Sequence, residues 1–537
     1  MQLRRSVPPW LRAAAALLVI LGVFFRFYHL DRKVFWEDEI IGTIHMFGYT
    51  EAEIVTAAPH LTSAGQVRQY IEPPANGRLG ISATVRSLAL EDPQHPPAYY
   101  VAERLWVRLF GSSVAAMRSL PALFGVLALP LVYLLARELF DSTETALLAV
   151  ALVAVSPFFV LYAQEAREYS MWTAAVALDA WLFLRAIRIA TPAWWVAYAV
   201  CTGFSLYVYP LTGLVALGLC AYLFVRERGR PSGTLTACVL ANLGALAIFA
   251  PWLWVIKNAT PVIKRGLATI LTSKLSALEI ARIFARDLRF LFFDLGPVHV
   301  GPLGQGKLDA LFTLLVVALS LCAIGALIRE QPFAVWGFIV IGLCLSMTPL
   351  LLRDLLVRGH FVYQARYFIP LLLGVELSVA ALFGMTVFGR ASRSPARPVW
   401  SALLILVVGG SVLSCVTIAQ ATTWWNKDSE QSPEVAAIIN HASRPLVVSD
   451  YFTPSIVALS LYLDPRVPVR LNVKCVQCDL PYTARPGLTD DTGYDNVFAL
   501  QTPAANGPHY RWVDPLPYPP QPDPLDMFVS IPSEHAP

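Results

Sequence analysis

The chain has 537 residues, 56% hydrophobic and only 15% charged, where a soluble domain carries roughly 25% charge. With a mean hydropathy of +0.55, this excludes an ordinary soluble domain and points to an integral membrane protein. The net charge of +4 gives no case for a nucleic-acid partner. The eight cysteines make no disulfide framework, because Cys201, Cys220, Cys238, Cys322, Cys344 and Cys415 lie in apolar stretches where a thiol packs as a small hydrophobe.

A bilayer core needs roughly 20 apolar residues per crossing. That rule predicts eleven spans, near 12–30, 114–136, 143–163, 170–190, 193–209, 211–225, 234–256, 308–328, 333–352, 367–389 and 398–420, and the stretch 265–300 could hide one or two more. Phe24-Phe25-Arg26-Phe27-Tyr28 is no small-residue cleavage site, so the first span reads as a signal anchor. With Arg4, Arg5 and Arg12 inside, the basic clusters at Arg137, Arg185 and Arg188, Arg226 to Arg230, Arg329, and Arg390 to Arg397 fall on the same side. The long excursions 31–113, 257–307 and 353–366, and everything after 421, then share the outer face.

Two stretches in those excursions have helical spacing of apolar, aromatic and basic residues. Gln94–Gly111 and Ser276–Gly296 are expected as amphipathic helices lying in the interface. The tail from 421 has ordinary polarity and is predicted to hold a small α/β domain over 421–501. From Thr502 to Pro537 it turns Pro-rich and is expected to be extended or disordered.

The residues that could carry chemistry gather on the outer side. Glu37, Asp38 and Glu39 follow Trp36 directly after the first span, and carboxylates so close to lipid are costly unless used. Glu165, Arg167 and Glu168 occupy a turn too short to be a mere linker, followed by Tyr169. Placed near Asp38, this turn supplies a guanidinium beside carboxylates, which suits a polar acceptor or a phosphate. Arg366 and Tyr367 enter the tenth span together, either snorkelling or clamping a lipid phosphate, and Lys257, Lys264 and Arg265 could share that task. His95 begins the interfacial helix in a His-Pro-Pro run and is a candidate base or ligand or a structural histidine.

Two motifs carry no chemistry. Gly301–Lys307 matches the count of a nucleotide-binding loop, but Leu308 stands where Ser or Thr is needed and no strand precedes it. Cys475 and Cys478 form a single CxxC, weak evidence for zinc or redox work. Asp179 and Glu376 lie within spans, each either a buried structural group or part of a transport path.

Taken in order, "WEDE", "HPPAYYVAERLWVRLFG", "MRSLPALFGVLALPLVYLLARELF", "SPFFVLYAQEAREYSMW" and "ARYFIP" resemble the bacterial C-superfamily membrane glycosyltransferases. Among these they resemble the protein O-mannosyltransferase and lipid A aminoarabinose transferase group, and within it the family 39 (RgtA/B/C/D-like) branch. The resemblance covers roughly 10–390 and leaves out the tail. It implies an all-α polytopic fold of the GT-C type over 1–420, to which the tail, read from its own sequence, adds the small extracytoplasmic α/β domain. It also implies a sugar donor carried on a polyprenyl phosphate, an acceptor lipid, glycan or protein, and chemistry at the outer face of the bacterial cytoplasmic (inner) membrane.

The family's acidic catalytic element in the first outer loop maps onto Asp38 with Glu39 beside it. Its second acidic position maps onto Glu165, where some relatives carry Asp. On this basis Asp38 is expected as general base, with Arg366, Arg167, Tyr367 and Lys257 on the donor phosphate. Glu37, His95 and Tyr169 are acceptor-binding or structural. Asp38, Glu39 and Glu165 could hold a divalent cation, although none is required when arginines clamp the leaving phosphate. The competing reading is a polytopic transporter or flippase built around Asp179 and Glu376. A third is a non-catalytic scaffold displaying 421–537.

Overall fold

The architecture is that of a computed structural model. The structure describes residues 7–74, 80–266, 275–296, 306–357, 359–389, 395–427, 431–449 and 453–473, together with 475, 478, 493–500, 510–512 and 527–530. Among these, eight helices are long and apolar enough to cross a membrane: Pro9–Phe27, Val114–Phe140, Tyr169–Ile189, Gly233–Asn258, Lys307–Glu330, Phe333–Leu356, Ala365–Phe388 and Arg397–Gln420. A bent pair, Thr143–Val155 and Pro157–Ala163, makes a ninth if counted as one span. The protein is a multi-pass membrane protein. The other two stretches expected as spans are helices of 17 residues (Pro192–Val208) and 15 residues (Thr212–Arg226). At 1.5 Å per residue these reach roughly 25 and 22 Å, short of a ~30 Å hydrocarbon core.

The 55° bend in the ninth span follows from one residue. Pro157 has no N–H for the carbonyl of Val153, so the ladder breaks there. Phe158 N–H turns to Phe290 O at 3.1 Å instead of continuing the helix, which frees Ala154 O as well. Arg26, buried in the first span, donates to Ala154 O at 2.5 Å and Val153 O at 3.1 Å. Lipid cannot satisfy open carbonyls, so a buried arginine does. Gly22 and Gly125 make the room: a Cβ on Gly22 would stand 2.2 Å from Ala154 O, and one on Gly125 would stand 3.1 Å from Arg26 Nε.

Both expected interfacial helices form. Ser276 caps Ala277–Arg289 by accepting from Glu279 N–H at 3.2 Å. Ala98–Phe110 buries Tyr99, Tyr100, Glu103, Arg104 and Val107, while Leu109 is 77% exposed and Leu105 and Phe110 also face outward. A helix whose polar side points inward and whose leucines point outward fits a lipid boundary rather than water.

The C-terminal region carries a five-stranded sheet: β1 Pro445–Ser449, β2 Val469–Leu471, β3 Asn496–Leu500, β4 Tyr510–Trp512 and β5 Met527–Ser530, in the order β2-β1-β3-β5-β4. β2, β1 and β3 run parallel, with Val447 opposite both Val469 and Phe498, and β5 and β4 continue the sheet antiparallel. The last two strands lie inside the Pro-rich stretch after Thr502. The helix Thr453–Ser460 is the crossover from β1 to β2. Cys475 and Cys478 form a disulfide. Most of the Gly301–Lys307 loop lies outside the described residues. The sheet domain is tied to the first loop, where Arg68 donates to Ser460 O and Leu463 O, both at 2.6 Å, and Phe35 N–H to Tyr462 Oη at 2.8 Å.

Candidate active site

The helix Glu37–Phe47 starts with its three acids in the first turn, where the helix dipole favours negative charge. Successive residues on a helix point about 100° apart, so the three acids face three environments. Glu37 accepts from Ser455 Oγ of the C-terminal domain. Asp38 pairs with Arg366 at 2.8 Å and keeps a quarter of its side chain exposed.

Glu39 is fully buried. It receives Arg118 through Nε at 2.8 Å and Nη2 at 2.6 Å, and Ala166 N–H at 2.8 Å. Arg118 also donates to the carbonyls of Leu30, Lys33 and Val34. The bidentate pair therefore fastens the first loop to the Val114–Phe140 span.

The turn 164–168 closes over Asp38. Arg167 donates to Asp38 O at 2.9 Å and to His95 Nε2 at 3.0 Å, and is paired with Glu168 at 3.3 Å. His95 Nδ1 lies 2.8 Å from Asp92. A carboxylate only accepts and a guanidinium only donates, so His95 donates from Nδ1 and accepts at Nε2. Tyr169 is buried between Arg167 and Arg366, whose guanidinium carbons lie 5.7 and 5.2 Å from its ring centre. Arg366 also stacks against Trp36 at 5.5 Å and Tyr367 at 5.9 Å.

Glu165 points elsewhere. It accepts from Lys427 Nζ at 3.0 Å and from the Asn426 amide. Lys257 is exposed at the end of the Gly233–Asn258 helix, and among the described residues no ion pair joins it to this cluster. Its helix does abut the His95 loop, through Trp252 Nε1–H to Pro93 O at 3.0 Å.

The electrostatics separate the acids. Burial disfavours charge on Asp38, but Arg366, then Arg167 and His95, outweigh it and hold its carboxyl below the usual range. Burial likewise opposes Glu39, and Arg118 and Lys427 overcome it. At Glu165 burial wins over Lys427 and pushes the carboxyl up. Asp38 and Glu39 each pair with an arginine, and Lys427 lies between Glu39 and Glu165. Among the described residues no group of three His, Cys, Asp or Glu side chains could hold a metal ion, so the donor set does not fit a divalent ion shared by Asp38, Glu39 and Glu165.

Sequence reasoning passed over Arg118, Lys427 and Asp92 as site residues, and named Glu168 only as part of the charged turn. An arginine at the start of an apolar span was a usable signal for Arg118. Lys427 gave none, because nothing local says which loop it reaches. Asp179 and Glu376 are both buried, on the Tyr169–Ile189 and Ala365–Phe388 spans, and no ion pair joins them among the described residues.

Residues 94–255 match the family model of the dolichyl-phosphate-mannose-protein mannosyltransferases. ArnT from Cupriavidus metallidurans bound to undecaprenyl phosphate superimposes with a TM-score of 0.53 at 14% identity, over 98% of this chain and 99% of that one. The chain has the fold of the C-superfamily membrane glycosyltransferases. The oligosaccharyltransferase AglB from Archaeoglobus fulgidus, in complex with an inhibitory peptide and a dolichol-phosphate, shares this fold with a TM-score of 0.51 at 12% identity, over 91% of this chain and 69% of that one. Against the apo oligosaccharyltransferase of the same organism the TM-score is 0.50 at 11% identity, over 86% of this chain, which spans only 64% of that one's length. No curated protein matches the sequence. The mannosyltransferase match takes in His95, Arg118, Glu165 and Arg167 but stops short of Asp38, Arg366 and Lys427, so the C-superfamily fold reaches beyond it at both ends.

Proposed function

We propose that the protein moves a sugar from a polyprenyl-phosphate donor to an acceptor hydroxyl, with inversion, at the outer face of a bacterial cytoplasmic membrane. The observation that carries this reading is the 2.8 Å pairing of a partly exposed Asp38 with Arg366, with Arg167 alongside. A base and a phosphate clamp then stand within hydrogen-bond reach of one another. The undecaprenyl phosphate in ArnT and the dolichol-phosphate in AglB support a lipid phosphate as the donor's anionic end.

In this mechanism Asp38 takes the proton of the acceptor hydroxyl. The acceptor oxygen bonds to the anomeric carbon as the bond from that carbon to the phosphate oxygen breaks. The electron pair leaves with the polyprenyl phosphate, and attack from the side opposite the leaving group inverts the carbon. Arg366 and Arg167 meet the charge that develops on the phosphate. The phosphate competes with Asp38 for Arg366. Once it draws off that guanidinium, the main cation depressing Asp38 is occupied, and Asp38 becomes a stronger base only with donor in place. His95, held by Asp92 and Arg167, positions the guanidinium rather than abstracting a proton.

The transporter reading built around Asp179 and Glu376 gains no support from their placement: both are buried, and among the described residues no ion pair joins them.

The test incubates purified protein with a panel of radiolabelled polyprenyl-phosphate sugars and a membrane extract. Consumption of one donor, abolished by Asp38→Asn in a protein that still folds, is the expected result. Full activity in that variant would remove Asp38 as base. No consumption of any donor would remove the transferase reading.

A further inference from the structure

The short run Trp424-Trp425-Asn426-Lys427 follows the Arg397–Gln420 span. Both tryptophans donate Nε1–H to Asp294 Oδ2, at 2.7 and 2.8 Å, and Trp425 stacks on Phe290 with ring centres 4.3 Å apart. This double anchor delivers Lys427 to the site. Its Nζ lies 3.0 Å from Glu165 Oε1, 3.9 Å from Glu39 Oε2 and 5.4 Å from the centre of the Trp36 ring. The lysine side chain is fully buried. Burying an ammonium is expensive unless partners compensate it, and here two carboxylates and an aromatic face do so. Around Trp36, three carboxylates (Asp38, Glu39, Glu165) therefore stand against three cations (Arg366, Arg118, Lys427).

We infer that Lys427 is a positioning residue for this centre: by satisfying Glu165 it leaves Arg366 free for Asp38 and for the donor phosphate. The inference rests on the transferase reading above. Lys427 and Arg366 lie against the same Trp36 ring, and the field of Arg366 reaches Glu165. With Lys427 removed, Glu165 keeps the Asn426 amide among its described partners, and wherever the pH keeps it ionised it draws on the nearest remaining cation. Arg118 is already bound bidentately to Glu39 and Lys33 to Gln164, which leaves Arg366 as the cation to be drawn over. A guanidinium drawn toward Glu165 is lost to the phosphate.

The experiment uses full-length protein in detergent and measures both polyprenyl-phosphate affinity and donor turnover. Lys427→Met should lose about 10- to 100-fold in phosphate affinity, taking as a guide the cost of removing the partner that orients a metal ligand. Lys427→Arg should keep most of it. The double variant K427M/E165Q should recover most of the loss, because the competing anion is gone. A lysine that merely stabilises the fold would lower the melting temperature without changing phosphate affinity in the folded protein. Wild-type affinity in K427M, or a double variant no better than the single, would overturn the inference. If K427M does not fold, Lys427→Gln, which keeps an amide against Glu165, takes its place with the same expected loss. A wild type that neither binds polyprenyl phosphate nor consumes a donor would overturn the transferase reading and this inference together. An active wild type with an unaffected K427M would overturn this one alone.

Discussion

Asp38 and Glu39 are adjacent and equally charged, and the structure predicts opposite consequences for losing each charge. Glu39→Gln replaces a fully buried carboxylate that accepts Arg118 at 2.8 and 2.6 Å and Ala166 N–H at 2.8 Å. These donors converge on both carboxylate oxygens, so an amide must turn its own N–H₂ toward at least one of them. Breaking a buried pair by neutralising one partner costs about 3–5 kcal/mol, because Arg118 keeps its three backbone carbonyls but is left buried without a counter-charge. Asp38→Asn touches a group one quarter exposed with a single ion pair, and the water at Asp38 together with the rings against Arg366 keeps its stability cost below that of Glu39→Gln. For turnover the order reverses. Removing a general base costs about 10²- to 10⁴-fold, so D38N should be a folded, nearly inactive protein. E39Q should be a poorly folding protein whose folded fraction retains most of its activity. Thermal unfolding in detergent, with donor consumption normalised to folded protein, reads both. An E39Q protein that melts like wild type but does not turn over would refute this division of labour.

Three further outcomes follow from other parts of the molecule. Lys33 is buried against Gln164 at 2.8 Å, and desolvation first, then Lys427 and Arg118, lowers its pKa from 10.5 to about 7. Between those values the unfolded chain holds a proton that the folded chain does not. Stability should therefore rise as pH increases from about 7 toward 10, and Lys33→Met should flatten that slope in pH-dependent melting; an unchanged slope would rule Lys33 out as its source. Arg26→Leu strands the carbonyls of Val153 and Ala154, at about 1–3 kcal/mol each. It should lower the melting temperature by several degrees, and adding Pro157→Ala, which restores a donor for Val153 O, should regain part of the loss. Arg366→Lys keeps the charge but loses the planar fork and the stacking on Trp36, Tyr169 and Tyr367. Polyprenyl-phosphate affinity should fall by about tenfold or more, and equal affinity would show that only charge matters there.

The amino-acid sequence by itself determined the membrane class, the approximate helices and the side of the molecule where polar residues gather. A span is a local property: its length and apolarity answer to the bilayer thickness alone. The two interfacial helices were legible for the same reason, and so were the acidic first turn at 37–39 and the charged turn at 165–168. The division of roles was not legible. Glu39 is taken out of the reactive part by Arg118, from a different helix, and Glu165 by Lys427, which lies 262 positions further along the chain. Asp38 stays accessible only because its neighbours are each already bound. The two short helices at 192–226 and the strands in the Pro-rich stretch were likewise decided outside their own segments, by neighbouring helices and by pairing in the sheet. Which carboxylate meets which cation depends on how distant segments pack, because ion pairing acts through space over a few ångströms and carries no period along the chain. Only the tertiary structure could assign it.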